Sequence, residues 1–219
     1  MSKFLIANWK MNGSIELLDN FINNFEFNDN IIMGLPYIFL GYANSRNKNI
    51  ILSAQDCSIQ NGYGSYTGDI SSDLLKSIGV RYVIIAHSER RSLHNENGDI
   101  ISKKIKNALS SGLKVIYCVS EEYDRQIQTE ILDDDFDRDN IIVAYEPVSA
   151  IGTGVVPSID SIKNVTSKIK EKYRMKVIYG GSVNSKNIKD IIGIDSIDGV
   201  LVGGASLKID EMQEMSKYC

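Results

Sequence analysis

Apolar and polar positions along the chain alternate between two kinds of segment. Short runs rich in Val, Ile and Leu occur at residues 3–8, 31–35, 50–55, 82–87, 114–119, 141–146, 176–179 and 199–202. Most are apolar almost throughout, as strands covered on both faces are. Between them lie polar segments with helical spacing of their apolar residues, at 15–25, 100–111 and 159–173, and a shorter one at 186–192. Ser158 stands just before the third of these and suits an N-cap. Strands alternating with helices predict a parallel sheet with right-handed crossovers. Eight such units in 219 residues fit an α/β fold closed into a (β/α)8 barrel, with no Pro/Gly/Ser-rich linker to divide it, so one domain is expected over residues 1–219. An open doubly wound sheet fits the same alternation.

Barrel enzymes place their chemistry at the C-terminal ends of the strands, and the predicted strand ends are unusually polar. The first offers Asn8 and Lys10, placed by alternation on one face with Trp9 opposite. The fourth ends Ala-His-Ser-Glu-Arg-Arg, the densest polar cluster in the chain. If Ser88 and Glu89 open a helical turn there, its positive end lies against His87 and favours a neutral imidazole. Such a ring donates a hydrogen bond to a developing oxyanion. The sixth strand ends in Glu146, followed by Pro147 and a short loop holding Gly152 and Gly154. The seventh and eighth end in glycine pairs, Gly180-Gly181 and Gly203-Gly204, whose uncovered N–H groups form the start of an anion site. The loop at 58–70 is long, aromatic and poor in charge, which suits contact with another chain.

Composition narrows the reading. A net charge of −4 and a pI near 5.3 give no bulk attraction to nucleic acid or to an anionic membrane. The apolar run in residues 1–9 is too short for a signal-peptide core, and no stretch reaches membrane-spanning length. Cys57, Cys118 and Cys219 lack metal-ligand spacing and read as reduced thiols of a cytoplasmic protein. The acidic run at 133–139 reads as a solvated loop, so no metal site is expected.

These motifs resemble the triosephosphate isomerase family along nearly the whole chain. The resemblance rests on Asn-Trp-Lys-Met-Asn-Gly (8–13), Ala-Gln-Asp-Cys-Ser (54–58), His-Ser-Glu-Arg-Arg (87–91), Ala-Tyr-Glu-Pro-Val (144–148), Ala-Ile-Gly-Thr-Gly (150–154), Tyr-Gly-Gly-Ser-Val (179–183) and Leu-Val-Gly-Gly-Ala-Ser-Leu (201–207), all in order. It implies a TIM barrel, a glycolytic and gluconeogenic isomerase of triose phosphates, and no metal or organic cofactor. By the same resemblance Glu146 is the base, His87 a neutral electrophile, and Asn8 and Lys10 electrostatic support. Phosphate is expected on Gly152, Ser182, Gly203 and Gly204, beneath a closing flap at 147–157. Glu89, Glu96, Ser88 and Tyr179 match supporting positions. The resemblance further implies a homodimer in which the loop at 58–70, through Thr67, reaches a partner's first strand. A phosphosugar lyase, another aldose–ketose isomerase, or a barrel that has lost its activity are the alternatives.

The chain departs from the family at four places. Ala86 replaces the usual glycine before the histidine, where an added methyl could shift His87. Ser120 replaces a glycine in the strand-five motif. Ser149 stands where a flap tryptophan is usual. Pro157 occupies the place of an alanine whose N–H bonds the tyrosine matched by Tyr179, and proline has no N–H. The last two suggest a flap whose open and closed states are balanced differently. The stretch between strands five and six is also short, which predicts a truncated helix there.

Overall fold

Strands β1 (Phe4–Asn8), β2 (Ile31–Gly34), β3 (Ile51–Ala54), β4 (Tyr82–Ile85), β5 (Lys114–Val119), β6 (Ile141–Tyr145), β7 (Lys176–Tyr179) and β8 (Gly199–Val202) are all parallel and pair in sequence order. The sheet closes when β8 pairs back onto β1, Phe4 opposite Gly199 and Ala7 opposite Val202. That pairing decides for the barrel over an open sheet. The computed structural model describes residues 3–132, 136–150 and 157–219, and of Ser149 the backbone alone.

Alternation along each strand divides the apolar residues into two cores. Ile6, Ile32, Ile84, Ile116, Ile142 and Ile178 fill the barrel interior. Their neighbours Leu5, Val83, Ile85, Val115, Val143 and Val177 face outward into a larger layer beneath the helices. Because both faces are covered, neither shows a polar side, which is why the strands read as continuous apolar runs.

The surrounding helices are α1 (Ile15–Asn24), α2 (Tyr37–Arg46), α3 (Ser72–Ser77), α4 (Ser88–Leu93), α5 (Gly98–Ser110), α6 (Tyr123–Ile127), α7 (Ile159–Tyr173), α8 (Ile188–Ile192) and α9 (Ile209–Ser216). Several starts follow from capping side chains. Ser14 accepts from the Leu17 N–H, Asn97 from Ile100, and Ser158 from Ser161 as its position predicts. Asn97 starts α5 two residues ahead of the apolar spacing, at Gly98. After β5 the helix is indeed short: α6 spans five residues and passes into a π turn, Gln128–Leu132. Of the acidic run, residues 133–135 lie outside the described residues, and Asp139 is exposed. Among the described residues no helix is long and apolar enough to cross a membrane.

Candidate active site

At the end of β1 the inward row continues through Asn8, which is buried. Trp9 turns outward, fully buried, edge-on to Phe21 at 5.4 Å, with its indole N–H donating to the Ser206 carbonyl. This ties the end of β1 to the turn after β8. Lys10 does not continue the extended strand: its φ is +53°, and its N–H donates to the Asn8 side-chain oxygen at 3.0 Å. A side-chain turn of this kind is a common way to hold a tight bend. Lys10 and Asn8 face the same cavity as expected, but through a left-handed turn rather than through simple alternation.

The end of β4 uses the same device. Ile84 points inward, but Ile85 and Ala86 both pack in the outer layer. Ala86 has φ +67°, which shifts the alternation by one and leaves His87 facing the barrel mouth. For a non-glycine residue the left-handed region costs roughly 1–2 kcal/mol. His87 then caps α4, its Nδ1 accepting the Glu89 N–H at 3.3 Å. A nitrogen that accepts carries no proton, so the ring proton belongs on Nε2. That Nε2 lies 3.5 Å from Glu146 Oε1.

Glu146 extends β6 by one hydrogen bond, its N–H donating to the Val119 carbonyl at 2.8 Å. The carboxylate is only 3% exposed, and its Oε2 has no hydrogen-bond partner among the described residues. Burial pushes its pKa above the ordinary carboxylate value, against the opposing pull of His87, Lys10 and the Cys118 thiol. Gly180 explains itself here, since a Cβ on it would sit 2.7 Å from the Glu146 Cγ. Next to it, a Cβ on Gly181 would lie 2.5 Å from the Tyr179 hydroxyl oxygen. That hydroxyl is buried without a partner among the described residues, and Pro157 has no N–H to offer it.

These strand ends surround a cavity of about 250 Å³. Asn8, Lys10, His87 and Glu146 line it together with Ser182, Gly203 and Gly204. Ser182 has φ +43° and donates its hydroxyl to the Ala150 carbonyl. Gly203 begins the turn after β8, and a Cβ on it would come within 3.6 Å of the Lys10 Cε. The cavity thus brings one lysine together with the glycine-bearing turns that follow β7 and β8. Gly152, the remaining predicted phosphate residue, lies outside the described residues, as do 151–156 of the predicted flap. Sequence reasoning passed over Leu201 and Asn184, which also line the cavity. Leu201 belongs to the inner core and carries no signal of its own.

The predicted supporting residues part company. Glu89 bonds Lys10 at 2.6 Å and approaches His87 Nδ1 at 3.5 Å. Ser88 opens α4, half-buried. Glu96 stands apart, in a buried ion cluster with Arg90, Lys104 and Asp56. Among the described residues no group of three His, Cys, Asp or Glu side chains could hold a metal ion. Beside the cavity runs a wider cleft of about 560 Å³, lined by Met11, Tyr37, Glu89, Leu93 and His94 among others.

A closed parallel barrel with a buried carboxylate and an imidazole facing each other at its C-terminal mouth defines an α/β-barrel enzyme. Comparison with known proteins names the family. The family model described as triosephosphate isomerase matches residues 3–219. The chain is 39% identical to a triosephosphate isomerase of Thermodesulfovibrio yellowstonii, over 99% of each chain. It is 38% identical to that of Wolbachia pipientis wMel, over 98% of this chain and 93% of the relative. It is also 35% identical to a cytosolic triosephosphate isomerase of Oryza sativa subsp. japonica, over 94% of this chain and 92% of the relative. The chain belongs to the triosephosphate isomerase family and is an isomerase.

Proposed function

We propose that the chain interconverts dihydroxyacetone phosphate and D-glyceraldehyde 3-phosphate through an enediolate, with Glu146 as the base. The observation that carries this reading is the facing of Glu146 and His87 at 3.5 Å inside a cavity that also holds Lys10. A carbon acid beside a carbonyl is weak, so a base alone is too slow. The Nε2–H of His87 supplies a hydrogen bond to the enediolate oxygens, and such a donor is worth roughly 3 kcal/mol in comparable oxyanion holes. Asn8 and Lys10 support the same charge. Ser182, Gly203, Gly204 and Gly152 receive the phosphate, and Lys10 opposes its charge after exchanging partners with Glu89. Residues 147–157 close over the substrate and keep water from the enediolate, which otherwise expels phosphate.

A coupled assay with triose phosphates, run beside longer phosphosugars, tests the reading. Rapid isomerisation confined to the trioses is expected. Equal turnover of longer phosphosugars, or none of the trioses, overturns it.

The same reading makes the active unit a homodimer, formed by the loop at 58–70. That loop exposes Ile59, Tyr63 (74% exposed) and Tyr66, as well as Thr67, while Met11 at the cleft rim is 97% exposed. Apolar and aromatic surfaces of this kind are characteristic of interfaces. Sedimentation at micromolar concentration is expected to give a dimer, and Thr67→Arg a monomer of reduced kcat. A fully active wild-type monomer contradicts the arrangement. The cytosolic setting named for the rice relative is proposed for this chain as well.

A further inference from the structure

Arg91 does not line the cavity, yet its guanidinium reaches the two strand ends that carry His87 and Cys118. Its Nε donates to the Ala86 carbonyl at 2.9 Å and its Nη2 to the Cys118 carbonyl at 3.2 Å. The same group makes a two-pronged pair with Glu130, Nη1 to Oε1 at 2.7 Å and Nη2 to Oε2 at 2.8 Å. Glu130 is 5% exposed and also accepts the Tyr117 hydroxyl at 2.6 Å. It sits on the π turn Gln128–Leu132. A π turn adds a residue to the helical phase and often marks a functional place. Here the short helix α6 alone ends before Glu130, and the turn carries that carboxylate to Arg91.

The Ala86 carbonyl is the acceptor directly before His87. Ala86 holds the left-handed bend that moves itself into the outer layer and brings His87 to the barrel mouth. Glycine enters that conformation freely, whereas alanine resists it. Something outside the bend must therefore hold it, and the Arg91 hydrogen bond is the contact in place to do so. The arginine fork suits the task because it serves a carboxylate and two carbonyls at once from a fixed plane.

We infer that Arg91 is a positioning residue for His87. It clamps the Ala86 bend and joins it to the end of β5, while Glu130 holds the guanidinium in register. The inference rests on the proposed role of His87, and it concerns this chain in particular because alanine stands at position 86.

Arg91→Lys keeps the charge and loses the fork. Its kcat for triose phosphate is expected to fall about tenfold or more, with KM changed less than about threefold, because the proposed phosphate residues follow other strands. The ¹⁵N resonances of the His87 ring should shift in the same variant without substrate. The deciding measurement adds Ala86→Gly. With glycine at the bend the clamp is no longer needed, so the double variant should regain most of the lost kcat and the wild-type ring resonances. A residue that merely stabilises the fold gives the same deficit in both backgrounds. If Arg91→Lys does not fold, Glu130→Gln is measured in its place, with the same rescue expected. An unchanged kcat, unmoved His87 resonances, or a deficit that Ala86→Gly leaves intact overturns the inference. Because the ring resonances are read without substrate, they still decide the clamp if the wild type does not isomerise triose phosphates.

Discussion

Glu146→Gln is expected to lower kcat by about a thousandfold or more and yet to leave the protein at least as stable as wild type at neutral pH. The first half follows from geometry. A positioned general base contributes about 10²–10⁴-fold, and the amide cannot take a proton from carbon. Glu146→Asp retains the charge but withdraws it from its place opposite His87, and it too should be slow with folding unchanged. A kcat within tenfold of wild type for the glutamine variant removes Glu146 from the role of base.

The second half follows from burial. The folded carboxylate titrates above its ordinary value because burial penalises its charged form. Between the unfolded and folded pKa values the native state therefore binds more protons than the unfolded chain. Stability then falls as pH rises through that interval, and the ionised Glu146 burdens the fold above it. Glutamine carries no such charge. The variant's advantage should be full above the folded pKa and vanish below the ordinary carboxylate range. Urea melts at several pH values measure it, and a glutamine variant less stable than wild type at pH 8 contradicts the burial argument. For the same reason the acid limb of the wild-type kcat/KM profile should lie above the usual range for glutamate.

Most of the framework behind this site was legible in the sequence. Buried strands between helical segments pointed to the barrel, and polar residues at the ends of apolar runs pointed to Asn8, Lys10, His87 and Glu146. The backbone that aims those side chains was not. Lys10, Ala86 and Ser182 all have positive φ, and no residue type other than glycine, or at times asparagine, announces that conformation. Reading Lys10 by alternation therefore reached the correct cavity by an incorrect path. Arg91 and Glu130 were hidden for a related reason. Their pairing depends on a π turn in a shortened helix, and helical periodicity places Glu130 on no particular face. Glu96 shows the converse, because its motif position suggested support for the site and its surroundings show an ion cluster beside it.

That cluster sets up the second large effect, a loss of about 3–5 kcal/mol of stability for Lys104→Met, the range found when one partner of a buried charged group is removed. Lys104 is 4% exposed. Its ammonium donates to both Asp56 oxygens at 2.7 Å and to Glu96 Oε1 at 2.6 Å. Arg90 Nε completes the group, 2.9 Å from Asp56 Oδ2 and 2.5 Å from Glu96 Oε1. Asp56 follows β3, Arg90 lies on α4 and Lys104 on α5, so the cluster staples neighbouring barrel units below the wider cleft. Burial pulls the Glu96 pKa up, but the hydrogen bonds and charges of Lys104 and Arg90 outweigh it and hold the group below its ordinary value. Its contribution is thus present above the unfolded pKa and lost as pH falls through the folded one. Removing Lys104 leaves two buried carboxylates with one cation. Their pKa values should then rise, so the deficit of the variant should be greatest at neutral pH and shrink toward pH 4–5. Thermal melts across that range check the sign, and a deficit independent of pH would assign the loss to packing instead. Carboxylate-to-amide exchange should accordingly act in opposite directions at two buried positions of one barrel. At Glu146, which faces the cavity and pairs with no lysine or arginine among the described residues, it removes activity and spares stability. At Glu96, held by two cations, it removes stability, and the chemistry follows only as far as the fold does.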